Sequence, residues 1–161
     1  MPIPDELRDL YQQVILDHSR NPRNQGQLGQ GSVHVHGDNP ACGDEIELWV
    51  RLGDGDRIED IAFTGQGCAI SQASASMMTT KIKGASVAHA RHLLADFQDV
   101  VTGRSAPRDE EALGELVLLE GVRKFPMRVK CAMLGWRALE QALGEASAPV
   151  LHGESAPQTT T

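Results

Sequence analysis

Aromatic side chains and positive charge are both scarce in this chain. Phe, Trp and Tyr make up 4% of its 161 residues, and 15 Lys and Arg stand against 22 Asp and Glu, which gives a formal net charge of −7. Proteins that bind nucleic acid rely on clustered cations, and often on aromatic rings that stack on bases. The composition therefore predicts that nucleic acid is not a partner.

Long apolar runs are absent as well. Nothing in the sequence approaches the ~20 consecutive apolar residues that a membrane span requires. Residues 1–7 lack the basic stretch followed by an apolar segment that marks a secretory signal. We therefore expect no membrane association and a cytoplasmic location.

The three cysteines are an odd number, so a closed disulfide framework cannot account for all of them. In a reducing compartment, free thiols are either buried as small hydrophobic side chains or kept for metal or sulfur chemistry. The length is sufficient for one domain whose core needs no disulfides. The role of Cys42, Cys68 and Cys131 is therefore the main question that the sequence poses.

Hydrophobic periodicity predicts a small antiparallel sheet near the N-terminal end of the chain. A helical stripe begins at Leu7 and stops before Pro22, because the residue that precedes a proline avoids the α region. Apolar and polar residues then alternate with period two, which predicts strands over 33–35, 46–52 and 58–64. Short turns join these segments, so we expect a three-stranded meander.

The remainder of the chain is predicted to be helical, which makes the fold α+β with the sheet packed against about five helices. Ser86 and Gly103 have the residue types of an N-cap and a C-cap, and Asp109 is a candidate cap for a short helix that ends at Gly121. The helices after the sheet are predicted over 68–81, 87–102, 109–121 and 126–144. We expect a single domain over residues 1–144, followed by a disordered tail over 145–161 that is rich in Ser, Ala, Pro and Thr.

Each cysteine lies where an element begins or a turn ends. Cys42 precedes the long strand, Cys68 opens a helix, and Cys131 lies in the first two turns of the last helix, on the same face as Arg128. Helix N-termini and nearby cations favour thiolates, and three thiolates with Asp44 could form a tetrahedral zinc site. The spacing is dispersed, without any CxxC pair, so on spacing alone cysteines packed as small hydrophobic side chains are the more common case.

The histidines offer a second candidate group. His34, His36 and Asp38 suggest a metallohydrolase loop, but Asn39 stands where such a loop would have another histidine. We also expect the two imidazoles to point to opposite faces of their strand. This interpretation is therefore not favoured. The histidines in the predicted helices, His18, His89 and His92, are expected on exposed surfaces, and His18 alternatively as a charge at a helix C-terminus.

Three motifs, in this order, resemble the U-type iron–sulfur assembly family. They are NPACGD at 39–44, GQGCAISQASAS at 65–76 and KFPMRVKCA at 124–132. The stretch LYQQVILDHSRNP at 10–22 resembles the same family. The resemblance extends over about residues 7–143, and it is closer to the SufU branch than to the IscU scaffold branch. Lys130 stands where IscU-like proteins have histidine, and about residues 103–121 fit an insertion of the SufU branch.

The resemblance implies a zinc-dependent sulfurtransferase that carries a persulfide. Its partners would be a SufS-type cysteine desulfurase, which supplies the sulfur, and downstream iron–sulfur assembly scaffold proteins. The motif match makes Cys42, Asp44, Cys68 and Cys131 the ligands of Zn²⁺. It also makes Cys42 the persulfide acceptor and Arg128 a residue of the transfer site.

Two other functions stay open. A scaffold that assembles a [2Fe–2S] cluster and passes it to apo-proteins would use the same thiolates, because thiolates also ligate iron–sulfur clusters. A purely structural zinc domain would bind the metal without any effect on a desulfurase.

Overall fold

The computed structural model describes residues 5–105 and 110–147. In this part of the chain the elements are α1 (Asp5–Arg20), β1 (Val33–Asn39), β2 (Asp44–Gly53), β3 (Arg57–Gln66), α2 (Ala69–Ile82), α3 (Val87–Thr102), α4 (Glu110–Leu113) and α5 (Pro126–Ser147). A 3₁₀ segment, Gly114–Lys124, connects α4 to α5. The predicted α+β class is confirmed. None of these helices has the length and apolar character needed to cross a membrane.

The sheet is antiparallel, with strand order β1-β2-β3. The side chains of β2 alternate, so that Ile46, Leu48 and Val50 are buried while Glu45 is exposed. The strand β1 continues past Gly37, where the sequence predicted a break, because Asn39 pairs with Asp44. The connection between β1 and β2 is therefore a short hairpin loop, and this loop contains Cys42.

The outer face of the sheet corrects the expectation for two histidines. His34 and His36 are two positions apart on β1, and both contact the carboxylate of Glu47 on β2. The expectation that they face opposite sides was wrong, because side chains alternate with a period of two residues and positions i and i+2 share a face.

Helix α5 packs against α2 and against the inner face of β1 and β2. The small residues of α2 allow this approach: a Cβ on Gly135 would lie 3.2 Å from the Cβ of Ala75. The hydroxyl of Ser74 donates to the carbonyl of Ala132 at 2.6 Å and accepts from the indole N–H of Trp136 at 3.2 Å. The polar groups in this contact are therefore paired as well as buried.

The caps predicted for α3 are confirmed, whereas the segment after it differs from the prediction. The Ser86 side chain accepts the N–H of His89, and Gly103 adopts the left-handed conformation at the C-terminus. Gly114, at φ +56°, ends α4 early, and the chain continues as 3₁₀ helix rather than as α-helix. The predicted cap Asp109 lies outside the described residues.

The last helix extends beyond the predicted end at Gly144, to Ser147. Residues 148–161, which make up most of the predicted tail, lie outside the described residues.

His18 was predicted on the surface or as a charge at a helix C-terminus. The surface position was wrong, because the residue is 5% exposed, whereas His18 does lie in the last turn of α1. Its Nδ1 lies 2.7 Å from the Ser76 hydroxyl, which also accepts the backbone N–H of Arg23 at 2.9 Å. The Nε2 of His18 lies 3.4 Å from the Oε1 of Glu115. His18 thus connects α1 to α2 and to the 3₁₀ segment.

Burial is the main cause that lowers the pKa of His18, and Arg23 lowers it further. The unfolded chain binds this proton near the ordinary pKa of about 6.5, so it holds more protons than the folded chain below that pH. Stability present above about pH 6.5 is therefore lost as the pH falls towards the lowered pKa. As the pH falls from about 7.5 to about 5.5, we expect the free energy of unfolding to decrease less in His18→Gln than in the wild type.

Urea unfolding at a series of pH values measures this difference. The exposed His89 supplies the matched control, and His89→Gln should follow the wild type. Equal pH dependence in all three proteins would show that His18 does not couple protonation to folding.

Candidate metal centre

Cys42 is placed by the hairpin loop between β1 and β2. The backbone N–H groups of Cys42 and Gly43 both donate to the carbonyl of Asn39, at 3.1 and 2.9 Å. Gly43 has φ +72°, in the left-handed region where glycine is favoured. This turn holds the half-buried Cys42 next to the end of the sheet.

Asp44 is the first residue of β2 and has no exposed surface. Its Oδ1 accepts the backbone N–H of Cys68 at 2.9 Å, and its Oδ2 lies 3.8 Å from the Cys68 Sγ. Gly67 is required beside it, because a Cβ there would lie 2.8 Å from the Asp44 Cγ and closer still to Oδ1. Glycine lets a backbone approach another atom closely, and at position 67 the backbone approaches this carboxylate.

The other two thiols are held by helices, as predicted. Cys68 is the N-cap of α2, and its Sγ accepts the backbone N–H of Ser71 at 3.5 Å. Cys131 is fully buried in α5, and its Sγ lies 3.3 Å from the Sγ of Cys42. All three thiols are free.

The spacing of Cys42, Asp44 and Cys131 is close to that of a tetrahedral metal site. Their ligand atoms all lie within 4.8 Å of one another, whereas Cys68 does not belong to this converged group and has its Sγ 3.8 Å from the Asp44 Oδ2. Zinc–sulfur bonds of ~2.3 Å would place two tetrahedral sulfur ligands roughly 3.8 Å apart, and the sulfurs of Cys42 and Cys131 are 3.3 Å apart. The three converged side chains therefore fit a zinc ion. That all four bind it remains a prediction.

The electrostatics of the site favour a bound cation. Burial raises the pKa of the Cys131 thiol well above its ordinary value, and Asp44, Cys42 and Cys68 raise it further. Acidic groups that converge in a buried place resist ionisation unless a positive charge compensates them, and a metal ion reverses that preference. Without a cation, the Cys131 thiol therefore resists deprotonation.

Arg128 lies beside these sulfurs, and Lys130 does not line the same cavity. The pKa of Arg128 is raised first by Cys68 and then by Cys131, which places the exposed guanidinium close to both. Lys130 lines a separate cavity between β1 and α5. Of these two cations, the structure therefore favours Arg128 for the support of the site.

A cavity of about 770 Å³ opens over the thiols. It is lined by Cys42, Cys68 and the segment Lys124–Arg128. Within that segment Phe125 is 60% exposed and Met127 is 55% exposed. Apolar side chains exposed at the edge of a cavity mark a surface for a partner. The sequence analysis did not predict an exposed role for Phe125 and Met127. Their positions on either side of a proline at the start of a helix were a signal that could have indicated it.

Comparison with known proteins supports a family assignment. Residues 10–147 match the family described as the NifU-like N terminal domain. A zinc-dependent sulfurtransferase SufU of Bacillus subtilis is 48% identical over 139 residues, which cover 86% of this chain and 92% of the relative. An iron–sulfur cluster assembly scaffold protein IscU of Streptococcus pyogenes is 49% identical over 138 residues, covering 86% and 85%. Two relatives of nearly equal identity therefore carry different functional names.

A solved structure leads to the same family. The crystal structure of an iron–sulfur cluster assembly scaffold protein for the SUF system from Fervidobacterium islandicum is 37% identical to this chain. It matches with a TM-score of 0.75 and covers 81% of this chain and 93% of its own. The sheet and helices around the cysteines therefore form a known arrangement.

The contact between Gly67 and Asp44 generates a prediction about metal binding. We expect Gly67→Ala to reduce the zinc content of the purified protein and to lower its melting temperature, because the new methyl group collides with the Asp44 carboxylate. Elemental analysis and thermal unfolding measure the two effects.

Gly26 provides the matched control. It has φ +138°, close to the +148° of Gly67, but a Cβ there meets nothing within 4 Å. Gly26→Ala should therefore show only the backbone strain, of about 1–3 kcal/mol, with its zinc content unchanged. Equal zinc loss in both variants would show that the contact with Asp44 is not what matters.

Proposed function

The chain belongs to the NifU-like N-terminal domain family of iron–sulfur cluster assembly proteins, and from that membership we propose that it is a zinc-dependent persulfide carrier. A SufS-type cysteine desulfurase would supply its sulfur, and downstream assembly scaffold proteins would receive it. One observation carries the proposal: a half-buried cysteine in a hairpin loop lines an open cavity and lies 3.3 Å from a buried second thiol.

Zinc would be held by the three cysteines and Asp44, and it would keep the sulfurs as thiolates without redox chemistry of its own. The observed contacts support this ligand set. Asp44 is held by the N–H of Cys68, and Cys68 is held by the N–H of Ser71. Hydrogen bonds of this kind orient metal ligands.

Cys42 is the thiol best suited to carry sulfur. Cys68 caps a helix and Cys131 has no exposed surface, so moving either one would disturb regular structure. Cys42 lies in a loop and lines the cavity, where a partner's side chain can reach it.

The transfer step needs no external oxidant. The Cys42 thiolate attacks the outer sulfur of a cysteine persulfide on the desulfurase, and a new S–S bond forms on Cys42. The S–S bond of the donor breaks, and its electron pair leaves on the donor's cysteine thiolate. The guanidinium of Arg128 lies close to the sulfurs of Cys68 and Cys131, where it can stabilise negative charge during the exchange.

A cluster scaffold is the second candidate function, because a relative that is 49% identical carries that name. Two features of this chain favour the carrier instead. Lys130 occupies the position before the last cysteine, where IscU-like proteins have histidine, and it lines a different cavity from Cys42 and Cys68. About residues 103–121, which fit an insertion of the SufU branch, precede the segment Lys124–Arg128 that lines the thiol cavity.

Turnover of a SufS-type desulfurase tests the proposal. Protein with about one zinc per chain should stimulate alanine release, and chelator-treated protein should not do so until zinc is restored. Arg128→Ala should reduce the stimulation about tenfold, as expected for the loss of one charge-assisted contact, while the zinc remains bound.

Arg137→Ala on the same helix is the matched control, because Arg137 is exposed and pairs with Glu140. It should stimulate normally. A tightly held iron–sulfur cluster that passes intact to an apo-ferredoxin, without any stimulation, would favour the scaffold function.

The position of the transferred sulfur is a separate prediction. After incubation with desulfurase and cysteine, peptide mass spectrometry should find an addition of about 32 Da on Cys42. Cys42→Ser should abolish both the addition and the stimulation. Added sulfur on Cys68 or Cys131 would show that a different thiol is the acceptor.

A further inference from the structure

A second group of metal-binding side chains lies on the outer face of the sheet. Glu47 stands directly opposite His36 in the register of β1 and β2, and His34 lies one diagonal step away, opposite Trp49. The Glu47 Oε1 lies 2.5 Å from the His34 Nε2, and its Oε2 lies 2.5 Å from the His36 Nδ1. One carboxylate therefore bridges two imidazoles.

The surroundings of this group are negative. Glu47, Asp38 and Glu45 all act on His36 as acidic neighbours. The side chains of His34, His36 and Glu47 are 50%, 44% and 36% exposed, so solvent and ions reach them. A cation at this place would be attracted by several carboxylates and would displace only water and shared protons.

We propose that His34, His36 and Glu47 form a surface site for a divalent transition-metal ion of the Zn²⁺ or Ni²⁺ class. Two neutral imidazoles and a carboxylate are donors that such ions prefer, and three protein ligands leave a position open for water. In the structure each imidazole contacts a different oxygen of Glu47, so the three donor groups do not yet surround a single position. Binding therefore requires the exposed side chains to rotate about their χ angles, which are free to change on this surface.

This site shares no ligand with the cysteine centre. Alternation along β2 directs Glu47 outward, whereas Asp44 is buried and contacts Cys68. The two groups therefore lie on opposite faces of the same strand. Loss of one site leaves the ligands of the other in place, so the two can be tested separately.

Metal stoichiometry tests the proposal. The purified protein is dialysed against about 100 µM free ZnCl₂, and zinc per chain is measured by elemental analysis. We expect the His34→Ala/His36→Ala double variant to bind one zinc fewer than the wild type. The test uses the difference in zinc per chain between the two proteins, so zinc bound at the cysteine centre of both cancels. Equal zinc content in the two proteins would overturn the proposal.

The matched control is the pair His89 and His92, which are exposed on α3. Replacing both by alanine should leave the zinc content unchanged. Glu47→Gln preserves the shape of its side chain and should weaken the second zinc at least about tenfold. Thermal unfolding of each variant verifies that the fold is intact, and an unchanged second affinity in Glu47→Gln would exclude that carboxylate from the site.

Trp49 provides a local reporter. Trp49 is 8% exposed and its ring stacks on His34 with the centroids 4.6 Å apart, whereas Trp136 has no exposed surface and stacks on Phe97. Added NiSO₄ should quench the fluorescence of the wild type, and the quenching should disappear in Trp49→Phe and in the double histidine variant. Quenching that persists in either variant would show that nickel binds at another place and would overturn the proposed site.

Discussion

The buried carboxylate of Asp44 is the constraint on which the candidate metal centre depends. A carboxylate without exposed surface is costly unless charge and hydrogen bonds compensate it. The N–H of Cys68 supplies one hydrogen bond, and a metal ion would supply the charge. Glycine at position 67 makes this contact sterically possible, because any larger residue would occupy the space of the carboxylate.

The packing of α2 against α5 then determines where the remaining sulfurs lie. Small residues such as Ala75 and Gly135 let the two helices approach closely, and Ser74 pairs the polar groups between them. This contact fixes Cys68 at the start of one helix and Cys131 in the other. The hairpin loop brings Cys42 to the same place without a comparable constraint. The centre therefore combines thiols held by rigid helices with one thiol held by a turn, as the proposed sulfur carrier requires.

The two faces of the sheet provide different environments for chemistry. On the inner side, burial raises the pKa of the Cys131 thiol, and acidic groups converge beside an open cavity. On the outer side, the His34–Glu47–His36 group is partly exposed to solvent, and each imidazole contacts the Glu47 carboxylate. The alternation of a single strand, β2, separates these environments, so donors only three positions apart in sequence belong to different sites.

The sequence by itself determined the fold class, most helix and strand positions, the family and the identity of the candidate ligands. These depend on local signals: hydrophobic periodicity, caps such as Ser86 and Gly103, and short motifs around each cysteine. Only the tertiary structure decided that His18 is buried against Ser76, that Gly67 contacts Asp44, and that Glu47 bridges two histidines. Those contacts join residues from different elements, and local periodicity cannot show which elements pack together or how closely they approach.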